Sequence, residues 1–141
     1  MFQLGVEDGD IKSRWGDIGR EMGLIFQLTD DLLDISKEKD KGRQIGDDIR
    51  SGIPTPLSLF AYNHIPEVDK KCFTENFGDS DISDSKLRLM LRIYQTSGAI
   101  EHINKLIRQK VKIVETILES LNISSSHWMY DLIGYSVTRK T

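Results

Sequence analysis

Cysteine occurs only once in the 141 residues, as Cys72, which excludes an internal disulfide. Proline is confined to positions 54, 56 and 66, so the chain is sparsely punctuated. No apolar run approaches the roughly 18 residues that a membrane span needs, and no signal-peptide pattern opens the chain. These absences make a soluble, cytoplasmic protein the expectation. Charge of one sign is also lacking: 19 basic and 22 acidic side chains leave a formal net charge of -3. Duplex binding usually rests on a strong basic footprint, so nucleic acid is not expected as a partner. No stretch alternates with period two for long enough to read as a strand. The length suits one domain by the usual prior of roughly 100–200 residues.

What is present is helical periodicity. In residues 10–36 the positions Ile11, Trp15, Ile18, Met22, Ile25, Thr29 and Leu32 step by four and three, as the buried stripe of one helix does. Trp15 lies in that stripe and is expected, like Trp128, in a core or a subunit contact. A second stripe of the same helix, Gly16, Arg20, Gly23, Gln27, Asp30 and Asp34, begins small and ends acidic. Residues 37–52 dissolve into charges and glycines and read as a loop with room for a helical turn. Pro54 and Pro56 announce a helix ending near His64, with Leu57, Leu59, Phe60 and Ala61 inward. A short helix over 67–76 follows. Ser83 or Asp84 would cap a further helix through Gln95. After Ser97 and Gly98 a second long helix runs to about Leu121, and a last one covers about 127–139. The fold class is all-α.

The chemistry concentrates in residues 27–34, QLTDDLLD. Asp30 and Asp34 are one turn apart on one helix face, with Gln27 a turn before them. Like charges so placed repel, and the C-terminal end of a helix disfavours negative charge. Holding a cation would offset both costs. Oxygen-only ligands favour a hard ion such as Mg²⁺, which takes one or two carboxylates plus substrate phosphate oxygens. A solvated acidic patch is the other reading of the same spacing, and Asp31 is the least informative of the three. Gly16 and Gly23 favour function, because glycine inside a helix costs roughly 1 kcal/mol relative to alanine. So does the Lys-, Arg- and Gly-rich loop that follows at once. His64, His102 and His127 are scattered and read as structural. Arg50 could bind phosphate or pair with Asp47 or Asp48. Lys105, Arg108, Lys110 and Lys112 read as the wet face of the long helix.

Residues 23–35, GLIFQLTDDLLDI, closely resemble the second aspartate-rich region of the trans-prenyltransferases (polyprenyl diphosphate synthases), whose pattern is G-x-x-F-Q-x-x-D-D-x-x-D. Residues 42–52, GRQIGDDIRSG, look like that family's next block, and 132–139, LIGYSVTR, are similar to its C-terminal helix. The resemblance implies a helical bundle of the isoprenoid synthase type, here about half of the full fold in a single helical domain over 1–141. It implies two aspartate-rich motifs facing each other across a cavity and holding Mg²⁺ on the diphosphate of an allylic substrate. The metal draws off the diphosphate, and isopentenyl diphosphate captures the allylic cation. By position, Asp30 and Asp34 would bind the metal, Asp31 would support its water shell, and Gln27 and Arg43 would meet the diphosphate.

The sequence also departs from the family pattern. The first aspartate-rich motif and a Lys-Thr pair would fall before Met1, so a truncated product, a fragment or half of a split gene is expected. The lysine of the second block is replaced by Arg43, which still offers a permanent charge and a planar fork. A further family lysine aligns with Ile53. Three functions compete: an incomplete prenyl-transferring enzyme inactive alone, a non-catalytic binding or regulatory subunit, and a folded remnant. Half a bundle exposes apolar surface, so a homo-oligomer, or a hetero-oligomer with a complementary half, is expected.

Overall fold

The two long amphipathic stripes become two long helices, and their pairing organises the rest. The computed structural model describes residues 8–36, 44–124 and 127–138, and no strand occurs among them. α1 is Asp8–Asp34 and α6 is Ala99–Ser120. At 1.5 Å per residue α1 is roughly 40 Å long. Between them in the chain lie α2, Asp47–Ser51, α3, Pro56–Asn63, α4, Glu67–Asn76, and α5, Asp84–Thr96. α7, Trp128–Thr138, closes the chain and packs on α1 and α6.

α6 is the main partner of α1, and two polar bridges show that the pair is antiparallel. Arg14 donates to Ser120 Oγ at 2.8 Å, and Lys110 Nζ lies 2.8 Å from Glu21 Oε2. Between the helices, Ile25, Ile103, Val114 and Leu118 are completely buried. Each such side chain contributes roughly 1.5–3 kcal/mol by leaving water. The buried stripe of α1 is as expected from Ile18 through Met22, Ile25 and Thr29 to Leu32. Trp15 departs from it and is exposed. α6 ends at Ser120, level with Arg14, so the first turns of α1 outrun their main cover. Trp128 is also exposed rather than part of this chain's core.

Caps set the boundaries of the shorter helices. Thr55 Oγ1 accepts from Ser58 N–H at 3.1 Å while Ser58 Oγ accepts from Thr55 N–H at 2.8 Å, a reciprocal cap that starts α3 with Pro56 in its first turn. Leu57 and Ala61, four apart, face inward, whereas Leu59, two residues round the helix, is exposed. Ser83 rather than Asp84 caps α5, accepting from Lys86 N–H. Ser97 and Gly98 alone turn α5 into α6.

In the charged stretch after α1 the described residues include the helical turn expected there, α2. Its residues 37–43 lie outside the described residues, as do Ser125, Ser126 and Arg139. From Gln44 on the chain is pinned. Gly46 has φ 80°, and a Cβ there would stand 2.7 Å from Leu87 Cδ1. Ile49 is buried, and its carbonyl accepts from Gly78 N–H at 2.8 Å. Among the described residues no helix is long and apolar enough to cross a membrane.

Candidate functional site

The acidic end of α1 divides into an exposed part and a buried part. Gln27 and Asp30 are exposed, together with Gly16, Arg20 and Gly23 of the same stripe. A Cβ added at Gly23 would meet only open space, so no packing contact among the described residues calls for glycine there. Arg20 is paired with Asp17 on its own helix.

Asp34 ends the stripe but turns inward, 7% exposed. Its Oδ1 accepts from Asp47 N–H and its Oδ2 from Asp48 N–H, each at 3.1 Å. Its carbonyl oxygen accepts from Gly46 N–H at 2.8 Å. A carboxylate at the first amides of α2 satisfies donors that a helix start leaves without partners. Asp34 therefore splices α2 onto the end of α1.

Asp31, which spacing ranks lowest, is the most perturbed of the three. It is 7% exposed, and its Oδ2 is buried with no hydrogen-bond partner among the described residues. Burial above all, then the charges of Asp48, Asp30 and Asp34, pushes its carboxyl up to about 7. Tyr94 of α5 is buried in the same region. Burial first, then Asp34, Asp48 and Asp31, pushes its phenol well above the ordinary range. α5 and α2 thus enclose a pocket of negative field that one-helix reasoning does not reveal. The signal that could have found Asp31 is its position beside Leu32, on the flank of the buried stripe.

The remaining candidates are placed plainly. Arg43 lies outside the described residues. Arg50 donates to the carbonyl of Ile45. His64 and His102 stack on Phe60 with ring centroids 3.8 and 4.1 Å away. Lys110, expected on the wet face, instead reaches the half-buried Glu21 of α1.

The donor set suits a hard cation in part. Asp30 is exposed and Asp31 carries an unsatisfied buried oxygen amid like charges, a combination that bound positive charge would relieve. Among the described residues no group of three or more His, Cys, Asp or Glu is arranged to hold a metal by itself. Any coordination shell here would need further oxygens, as Mg²⁺ sites completed by substrate phosphate do.

The family model described as Polyprenyl synthetase matches residues 1–94. A decaprenyl-diphosphate synthase of Dictyostelium discoideum is 30% identical over 129 residues, covering 88% of this chain and 28% of that protein. A geranylgeranyl pyrophosphate synthase of Geoglobus acetivorans is 27% identical over 137 residues, 96% of this chain and 41% of that one. The mitochondrial hexaprenyl pyrophosphate synthase of Saccharomyces cerevisiae is 37% identical over 125 residues, 86% and 25% respectively. This chain therefore spans between 25% and 41% of the length of these three relatives. No solved structure matches it. With the aspartate-rich end of α1 and the glycine–aspartate block of α2 both inside the matched residues, the chain belongs to the polyprenyl synthetase family.

Proposed function

We propose that this chain supplies the second Mg²⁺ and diphosphate half-site of a prenyl diphosphate synthase and needs a complementary first half to transfer a prenyl group. The observation that carries this reading is the Asp31 oxygen, buried and without a hydrogen-bond partner among the described residues, amid Asp30, Asp34 and Asp48. Such a cluster is costly without a compensating cation. Mg²⁺, when bound, would neutralise the diphosphate and make it a better leaving group.

The chain's own residues divide the work. Asp30 would present its carboxylate from the exposed face, and Asp31 would support the ion's water shell from below. Asp34 fixes α2 against α1 and would so set where residues 44–51 stand beside an ion. Gln27 would donate its side-chain amide to a diphosphate oxygen, and Arg43 would add positive charge from the following segment. The substrates of this reading are an allylic prenyl diphosphate and isopentenyl diphosphate.

Calorimetric titration of farnesyl diphosphate tests the half-site, with Mg²⁺ and with EDTA, on the natural chain and on Asp30→Ala. Asp30 is the cleaner choice than Asp34, whose loss would also release α2. Binding that needs Mg²⁺ and is lost in Asp30→Ala is expected. No binding at millimolar ligand, or binding indifferent to EDTA, would overturn the half-site.

A second reading, a non-catalytic subunit, draws support from the open face of α1 at Gly23, where an added Cβ would meet nothing and another helix could pack. It shares with the first the expectation that the chain is not a monomer. Light scattering behind size exclusion tests that expectation. A monodisperse 16.1 kDa species at 100 µM would refute it.

A further inference from the structure

A cavity of about 430 Å³ opens beside the last turn of α1, between that helix, α5 and α6. It is not the acidic stripe. Leu32 is two residues, roughly 200°, round α1 from Asp30. Its apolar lining comes from Leu32, Leu33 and Ile35 of the α1 end, Leu91 of α5 and Ile100 of α6. Its polar lining includes two arginines, Arg88 and Arg92, one turn apart on α5. Both are exposed, and neither is paired with a carboxylate among the described residues.

We propose that this cavity is a metal-independent site for an amphiphilic anion, a diphosphate head on Arg88 and Arg92 with a short hydrocarbon chain on the leucine and isoleucine lining. The volume falls within the roughly 300–1,000 Å³ of small-molecule pockets, which are mostly apolar with a few placed polar groups. Two guanidinium forks at i and i+4 lie about 5–6 Å apart at their Cβ atoms, a spacing that lets each take one phosphate of a diphosphate. Each fork offers bidentate donors, whereas a lone carboxylate head would occupy only one of them. The apolar lining supplies the reason to prefer an amphiphile over a free anion, because burial of methylenes there adds to the head-group attraction. The site differs from the proposed half-site in residues, in charge and in having no need of Mg²⁺.

Decyl diphosphate, saturated and therefore unable to ionise as an allylic ester does, is the probe. It would be titrated below its micelle concentration in EDTA, so that Mg²⁺-dependent binding at the acidic stripe is silent. Calorimetry would give the affinity, and backbone amide NMR shifts the location. Saturable one-to-one binding is expected, with shifts at Arg88, Arg92 and Ile100, weakened at least roughly tenfold in the Arg88→Ser/Arg92→Ser double variant. Inorganic diphosphate should bind at least roughly tenfold more weakly than the decyl ester. Both arginines are on the surface, so circular dichroism of the double variant should match the natural chain. No saturation at 1 mM decyl diphosphate, equal affinity in the arginine variant, or equal affinity for inorganic diphosphate would each overturn the proposal. Failure of Mg²⁺-dependent farnesyl diphosphate binding would not touch it.

Discussion

Replacing Asp34 by alanine should loosen the fold more than replacing Asp30, although the two differ little in sequence position and share a helix face. Asp34 holds two backbone amides of α2 at 3.1 Å each and is 7% exposed, while Asp30 is exposed. Loss of an N-capping carboxylate costs about 0.5–2 kcal/mol. Hydrogen bonds to a charged group run about 1.5–3 kcal/mol each, but the amides of α2 can recover water once the segment lifts. One opposing effect is the relief of Asp31 and Tyr94, both of which feel the negative charge of Asp34. A net loss of about 2–3 kcal/mol follows for Asp34→Ala, lowering Tm by roughly 6–12 °C for a chain of this size. Asp34→Asn keeps one acceptor and should lose about half as much. Asp30→Ala should stay within about 0.5 kcal/mol of the natural chain.

Urea denaturation followed by far-ultraviolet dichroism at pH 7 measures all three variants. Hydrogen exchange adds the location: the amides of Asp47 and Asp48 should lose protection in Asp34→Ala and keep it in Asp30→Ala. An Asp34→Ala chain as stable as the natural one, with those two amides still protected, would refute the splice between α1 and α2.

Other perturbations reach different parts of the molecule. Asp31 has its folded value raised from 3.8 to about 7, so the stability tied to its protonated form is complete below about pH 4 and is lost as pH rises through 7. Asp31→Asn should therefore match the natural chain below about pH 4 and exceed it by about 1–2 kcal/mol at pH 8; a variant less stable at pH 8 would contradict the buried charge. Gly46→Ala must place a side chain at φ 80° and 2.7 Å from Leu87 Cδ1, and should cost about 1–3 kcal/mol in urea melts; a cost under 0.5 kcal/mol would contradict the turn. Glu21 and Lys110 form a bridge with side chains 21% and 24% exposed, and their double-mutant cycle should give about 0.5–1 kcal/mol of coupling that shrinks in 1 M salt. Zero coupling would mean that the Glu21–Lys110 bridge adds nothing to the α1–α6 contact.

Much of the helical pattern was legible because helix periodicity survives in a single sequence. Met22, Ile25, Thr29 and Leu32 are buried where their spacing puts them, and the break at Ser97 and Gly98 falls between α5 and α6. Spacing names a face but not what covers it. Trp15 lies in the right stripe and is still exposed, because the partner helix ends beside it. Lys110 lies on a polar stripe and is nevertheless drawn across to Glu21. Asp31 was legible only in part: its place beside Leu32 marks the flank of the buried stripe, but the charge of Asp48, seventeen residues later in α2, leaves no mark on the local pattern.

Two of the three sequence blocks behind the family resemblance are physically joined. Asp34 closes the aspartate-rich run, and its side chain holds the amides of Asp47 and Asp48 in the glycine–aspartate block. Gly46 permits the turn because its φ is positive and because Leu87 leaves no room for a larger residue. Asp48, brought back by this turn, is the largest of the charges that raise Asp31, after burial itself. The third aspartate of the motif thus builds the scaffold that makes the second one unusual, while the first stays at the surface. The three acids of the motif thus differ by geometry: Asp30 is exposed, Asp31 is buried and charged only at a cost, and Asp34 joins two helices.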